Sequence, residues 1–411
     1  LLKLFKRAKF IFKTPKKHDL VVFDHVSISS LNNCLSKFNF FVLKVRLEDM
    51  DEIYFTFKIL KKIFSNYFKG NLMTMYLTSL IELIQPKAVV TTIDNSLKFS
   101  DIAKILGDKI NFIAIQNAKR YDLLQINYLY SAKKIKHNYL KKYYIPNLFC
   151  FGDYERDFYK KLNIKVKNIY PIGDLKWANF LEYTKLENSS LEKYNSDICL
   201  IAEYLGRGYF HGTGVLDKYT KEKLNDHKLP DNINFKRHCV EIVRYTIKFC
   251  IKNNMKLIIP GKRDKKYVPI LHKLEIDFFK RNLNKEEFDY FEKNFLERDT
   301  SNFSSHRAVL NSKITVGMGS TLLCNKLASG GKILSCNLSK IDMFNFPING
   351  ICTINNCTFE EFEKRLLEIY SISPENFLSK IDKNPDYVMK FSKNYSTIDL
   401  IREKLSQLDV S

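Results

Sequence analysis

Glycine and proline are scarce in this chain, 14 and 10 of 411 residues, against usual shares of about 7% and 5%. That excludes collagen-like and linker-dominated architectures. Long apolar runs are lacking too: charges interrupt every stretch before 18 residues, so no transmembrane helix is expected. The opening Leu1–Arg7 has no initiator Met, and it lacks the long apolar stretch and small-residue cleavage site of a signal peptide. No CxxC pair occurs among the nine Cys, and Cys199, Cys239 and Cys250 fall inside apolar runs. Buried free thiols in a reducing compartment are therefore expected rather than disulfides or zinc, and the chain reads as cytoplasmic. There is no HExxH, GxSxG or carboxylate-rich metal pattern, so no metal and no cofactor are implied. No nucleic-acid-binding motif accompanies the basic charge, which argues against a nucleic-acid partner.

What is present points to a large, well-filled protein. The length favours two or three domains, and 45% hydrophobic residues, including 32 Phe and 23 Tyr, supply their cores. Disorder over most of the chain is excluded on that composition. Lys and Arg outnumber Asp and Glu by 67 to 45, a net charge of +22. A lysine-coated solvated surface accounts for this, as does attraction to an anionic membrane surface or to anionic substrates such as sugar nucleotides.

Short apolar runs alternate with helical spacing. Asp19–Asp24, Phe40–Val45, Ala88–Asp94, Asn111–Asn117 and Phe149–Gly152 are strand-sized in the first half. Ile53–Phe68, Leu97–Leu106 and Asp153–Leu162 have helical spacing. After the polar stretch Glu187–Ser196 the alternation restarts. Ile198–Ala202, Met255–Pro260, Lys313–Gly317, Lys332–Ser335 and Gly350–Ile354 are its strands. Arg237–Asn253, Phe359–Ile369 and Thr397–Leu408 are its helices. This is the pattern of an α/β chain with two parallel-sheet domains, 1–190 and 191–411.

Candidate chemistry clusters just past strand ends, where open α/β sheets bind ligands. Eight of the fourteen glycines lie in two places, Gly206 to Gly214 and Gly317 to Gly331. The first segment runs Glu203-Tyr204-Leu205-Gly206-Arg207-Gly208-Tyr209-Phe210-His211 to Gly214, and suits either a ligand loop or an ordinary mobile one. In the second, Gly317-Met318-Gly319-Ser320-Thr321 leads a strand into a helix start, an anion site or a simple N-cap. Lys262 and Arg263, after Ile259-Pro260-Gly261, could neutralise a diphosphate, although exposed loop charges look the same. In the first half Asp24-His25, Asp94-Asn95 and Gln116-Asn117 with Arg120 lie at strand ends. Each could deprotonate or hold an acceptor hydroxyl, or merely cap a helix. His137, His227 and His272 look like surface residues.

With those segments in view, the chain resembles the bacterial surface-carbohydrate (capsule and lipopolysaccharide) biosynthesis proteins. Pro86–Asn95 with Ile113–Asn117, Tyr144–Gly152, Tyr170–Leu175, and Ser320-Thr321 with Gly331-Lys332 carry the likeness, in that order, across roughly residues 15 to 400. Ala118 stands where that family commonly has Gly, and Asn325 near its usual helix Glu, which implies a different donor or weaker binding. The resemblance implies a GT-B arrangement, two Rossmann-like domains facing across a cleft, with the last helix packing back towards the first domain. It implies a glycosyltransferase moving a sugar from a nucleotide-activated donor, CMP-ulosonic acids being used by related transferases, to a glycan or glycolipid acceptor. Glu203, Arg207, Gly208, His211, Lys262, Arg263, Gly319, Ser320 and Thr321 would hold the donor. Asn95, Gln116 and Asn117 would face the acceptor, and Asp94, Asp24 or His25 would activate it. A CDP-polyol phosphotransferase, a nucleotide-sugar epimerase, and a non-catalytic basic scaffold at the inner membrane face remain as alternatives.

Overall fold

A computed structural model describes residues 8–46, 49–66, 70–120, 139–186, 192–204, 231–392 and 394–407. It resolves into two compact units, Leu1–Asn179 with Lys390–Ser411, and Phe180–Met389.

The first unit is built on six parallel strands: β1 (Leu20–Phe23), β2 (Phe40–Leu43), β3 (Ala88–Thr91), β4 (Asn111–Ile115), β5 (Tyr144–Cys150) and β6 (Lys165–Pro171). They lie in the order β6-β5-β4-β3-β1-β2. Strand order reverses between β1 and β3, so this sheet has its switch point there. Both faces are covered, as parallel sheets require. On one face Leu20, Val22, Ala88, Val90, Ile113 and Ile115 are buried beneath α1 (Ile28–Leu35). On the other, Phe23 and Phe112 flank Phe99 at 5.7 and 5.4 Å between ring centroids. The unit also contains α2 (Leu72–Ile84), α3 (Leu97–Leu106), which carries Phe99, and α4 (Asp153–Lys161).

The unit boundary falls inside α5 (Leu175–Leu186), upstream of the polar stretch expected to divide the chain. The chain returns to the first unit at Lys390. Its closing helix buries Ile398, Ile401 and Leu405 against Leu31, Cys34 and Leu35 of α1. An i, i+3, i+7 apolar stripe has found its partner more than 350 residues upstream.

The second unit has β7 (Ser196–Leu200), β8 (Leu257–Asp264), β9 (Phe295–Arg298), β10 (Ser312–Gly317), β11 (Lys332–Asn337) and β12 (Thr353–Asn355). Their order is β9-β8-β7-β10-β11-β12, again all parallel. The switch point lies between β7 and β10. Its helices include α6 (Asp231–Lys252), α7 (Pro269–Asn282), α8 (Lys285–Asn294), α9 (Ser304–Asn311), α10 (Thr321–Ala328) and α11 (Phe359–Ser371), and α12 (Thr397–Gln407) is the closing helix of the first unit. Reciprocal capping boxes, Asn284 with Glu287 and Thr358 with Glu361, start α8 and α11.

Three expectations are corrected. Ile53–Phe68 is not one helix: Glu52–Tyr54 pairs in parallel with Lys9–Ile11, and Thr56 caps a helix over Phe57–Ser65 by accepting from the Ile59 amide. Strand β8 runs past Pro260 to Asp264, so Lys262 and Arg263 are strand residues, not loop charges. His272 is buried, not superficial.

Candidate functional site

The second unit gathers charge at the carboxyl edge of its switch point. Glu203 follows β7, Lys262 and Arg263 end β8, and Gly319-Ser320 follow β10, three adjacent strands. Glu203 pairs with Lys262, both partly buried. Arg263 Nε donates to the Tyr204 hydroxyl at 3.1 Å. The chain is tight here: a Cβ on Gly317 would lie 3.2 Å from the Ile201 side chain, and the Ile201 amide donates to the Val316 carbonyl at 2.8 Å. Ser320 caps α10, accepting from the Leu322 amide at 3.3 Å, and Thr321 is its first residue. Arg207, Gly208 and His211 lie outside the described residues.

The tail of β8 is held in an unusual way. Its register with β9 shifts between Pro260 and Asp264, so the ladder does not serve every backbone group. Glu275 of α7 instead accepts from the amides of Lys262 and Arg263 at 2.8 and 3.0 Å. Arg298 Nη1 donates to the Lys262 carbonyl at 2.9 Å, and His272 Nδ1 lies 3.3 Å from the Arg263 carbonyl. Burial pushes the Glu275 carboxyl above its ordinary range against the pull of the two amides. Burial, then neighbouring Arg263, lowers the Arg298 guanidinium. Behind the site, burial drops His238 to about 4, and its Nδ1 accepts from the Leu338 amide at 3.2 Å. Neither Glu275 nor Arg298 was singled out from sequence, and His272 was read as a surface residue. Glu275 and His272 stand three apart on α7, which is the only signal that they share a face.

Half of the second glycine cluster is structural. Gly330 ends α10 at φ 82, and a Cβ on Gly331 would overlap the stem of Lys326. Burial lowers Lys326 to about 8, and its ammonium donates to the carbonyls of Leu310 and Ser312. Asn325, in the place of the expected Glu, is 1% exposed.

In the first unit Asp94, Gln116 and Asn117 come together past β3 and β4. Asp94 is buried in an ion pair with Arg120 and accepts from the Tyr159 hydroxyl at 2.9 Å. Arg120 also donates to Asn117 Oδ1 at 2.9 Å. Gln116 accepts from the Phe151 amide at 3.1 Å and hydrogen-bonds Glu155, whose carboxyl burial pushes up. Breaking a buried pair such as Asp94–Arg120 costs about 3–5 kcal/mol. Asp94 therefore ties Arg120 and Tyr159 together past β3. Asn95 is half-buried beside it. Past β1, Asp24 holds φ 78 and accepts from the Val26 amide at 3.0 Å, a strained backbone of the kind concentrated at functional sites. His25 Nδ1 is buried with no hydrogen-bond partner among the described residues, and Asp51 lies 3.9 Å away. Ser27 Oγ joins this corner to the Thr92 amide at 2.9 Å. Among the described residues no three His, Cys, Asp or Glu side chains converge as a metal site would need.

No protein-family model matches the sequence, and no curated protein matches it. Solved structures do. A UDP-N-acetylglucosamine 2-epimerase from Rickettsia bellii is similar over 96% of this chain and 96% of its own, at 13% identity and a TM-score of 0.51. An α,α-trehalose 6-phosphate synthase from Burkholderia multivorans aligns over 96% and 94%, at 9% identity and 0.46. A UDP-glucose:anthocyanidin 3-O-glucosyltransferase aligns over 96% and 99%, at 9% and 0.44. The two parallel sheets and the likeness to the Rickettsia structure define the class: an α/β chain of two Rossmann-like domains, the GT-B fold. That class does not name a reaction, which must be argued from side chains.

Proposed function

We propose that this chain is a glycosyltransferase that takes a sugar from a nucleotide-activated donor and passes it to a glycan or glycolipid acceptor in bacterial surface-polysaccharide synthesis. The observation that carries this reading is the charged group at the β7/β10 switch point of the second unit. Lys262 and Arg263 would stabilise the charge that develops on the departing nucleotide phosphate. Glu203 would exchange its bond to Lys262 for donor hydroxyls, and the turn at Gly319-Ser320-Thr321 would bring backbone close to the phosphate. In the first unit His25, with Asp24 beside it, would take the acceptor's proton, while Asp94 with Arg120 would hold Asn117, and Gln116 would lie next to it, on the acceptor side. Asn325 in place of a carboxylate fits a different donor or weaker donor binding, and a CMP-ulosonic acid is the donor we propose. A cytoplasmic enzyme with a reduced-thiol interior suits this role, and all nine Cys are free.

The test is nucleotide binding. A thermal-shift series with CMP, CDP, UDP and GDP should show one that raises the melting temperature. Arg263→Ala should weaken that nucleotide about tenfold to a hundredfold, the worth of a charge-assisted contact. Unchanged affinity in a folded variant removes Arg263 from the site, and no binding by the wild type favours a non-catalytic scaffold. Nucleotide-sugar epimerisation is the second reading, since the Rickettsia epimerase shares the fold. Product analysis separates them: free nucleotide for transfer, an isomerised nucleotide sugar for epimerisation.

A further inference from the structure

The first unit presents aromatic rings to solvent in one place. Phe12, Phe57 and Phe64 are 73%, 80% and 75% exposed, and Phe55 46%. They are contiguous. The Phe55 amide donates to the Ile11 carbonyl at 2.9 Å, which extends the pairing of Lys9–Ile11 with Glu52–Tyr54. The Phe12 and Phe55 rings meet edge-on at 6.3 Å, and Thr56 then starts the helix that carries Phe57 and Phe64. Residues 57, 61 and 64 repeat at i, i+4, i+7, so Phe57, Lys61 and Phe64 share a face, opposite the one through which Ile59 is buried. A soluble surface gains nothing from three phenylalanines so exposed, and such patches mark interaction sites.

The charge around them says which kind. Segments 8–18 and 55–66 contain seven lysines and no carboxylate. Lys58 and Lys61 are exposed beside the two helical rings, and Lys9, Lys13, Lys16 and Lys17 are exposed on the neighbouring segment. Among the described residues nearby, Glu52 pairs with Lys44 at 2.9 Å and Glu82 with Lys62 at 3.3 Å, while exposed Asp51 lies 3.9 Å from His25. Exposed Phe interleaved with Lys on a short amphipathic helix is the composition that seats in the headgroup layer of a bilayer, and lysines next to it draw anionic lipid. We propose that this face, Phe12, Phe55 and the outer side of Phe57–Ser65, docks the protein on an anionic membrane surface. The rings enter the acyl boundary, and the lysines lie at the phosphates. The proposal is independent of the nucleotide site, which belongs to the other unit.

Flotation with vesicles of phosphatidylcholine, alone and with added phosphatidylglycerol, tests it on the full chain. Wild type should float with the anionic vesicles only, and less so at high salt. Phe57→Ser/Phe64→Ser should weaken binding at least about tenfold, and Lys58→Glu/Lys61→Glu about thirtyfold or more. The remote pair Lys280→Glu/Lys364→Glu removes the same charge from exposed sites on the second unit and should bind almost as wild type. Melting temperature and nucleotide affinity should be unchanged in all of them. Equal loss in the remote pair would reduce the effect to net charge and overturn the docking face. So would full binding by the double Phe variant, or no vesicle binding at all. A wild-type dimer that dissociates on Phe57→Ser/Phe64→Ser, with no lipid dependence, would assign the face to a second copy and equally overturn the proposal.

Discussion

Glu155 holds a carboxyl that is 2% exposed in the first turn of a helix whose sequence, Asp-Tyr-Glu-Arg-Asp-Phe-Tyr-Lys-Lys, looks solvated throughout. Its buried companions are Phe158 and Tyr159, at i+3 and i+4, and that spacing was the only clue that it faces inward. Asp94, Gln116 and Asn117 were legible because they end apolar strands. Arg120 was read beside them; Glu155 and Tyr159, which bond Gln116 and Asp94, were not, since nothing local distinguishes them from surface residues. Burial raises the Glu155 value above the ordinary 4.5, so the folded state prefers the neutral acid. That contribution is fully present below about 4.5 and is lost as pH rises through the higher folded-state value. Glu155→Gln keeps the shape and stays neutral. The variant should match wild type in stability near pH 4 and exceed it at mildly alkaline pH. Denaturant melts across that range check the sign, and a wild type that is the more stable at high pH would refute it.

At the level of elements, the informative case is the tail of β8. A strand reading that stops at Pro260 follows from Gly261 and the five successive charged residues Lys262 to Lys266, which resemble a loop. The strand persists because side chains of α7 and β9 take over where the ladder shifts, a long-range substitution that no window of sequence displays. Glu275→Ala would strip the acceptor from two amides, at about 1–3 kcal/mol for each left unsatisfied. It should also loosen Lys262 and Arg263, so nucleotide affinity falls with stability. Glu275→Gln, which can still accept one bond, should recover part of both. Calorimetric titration alongside melting temperature checks this; nucleotide affinity untouched in the Ala variant would detach the cradle from the site. The aromatic ribbon before Phe57 was hidden for a related reason: its partner strand, Lys9–Ile11, lies more than 40 residues upstream.

For the whole molecule, alternation of strand and helix made both parallel sheets legible, while the return of the chain towards the first unit entered only as what the family resemblance implied. Ile398, Ile401 and Leu405 announce a buried stripe, and a stripe fits either sheet. What selects the first unit is shape as well as polarity. Gly173 sits at φ 93, and a Cβ there would come within 2.3 Å of the Lys390 carbonyl, while the Lys390 amide donates to the Phe151 carbonyl at 2.7 Å. Gly173→Ala should therefore cost about 1–3 kcal/mol or more and loosen α12, measured as faster hydrogen exchange over Thr397–Gln407; protected amides in that helix would count against the account. The same return sets an order of events during synthesis. Domains generally fold as they leave the ribosome, yet α12 emerges only after all of Phe180–Met389 has been made. The second unit can mature on the ribosome, whereas the first must wait with Leu31, Cys34 and Leu35 uncovered. A nascent chain stalled before Lys390 would then expose that apolar strip to chaperones, and release of the full chain would withdraw it.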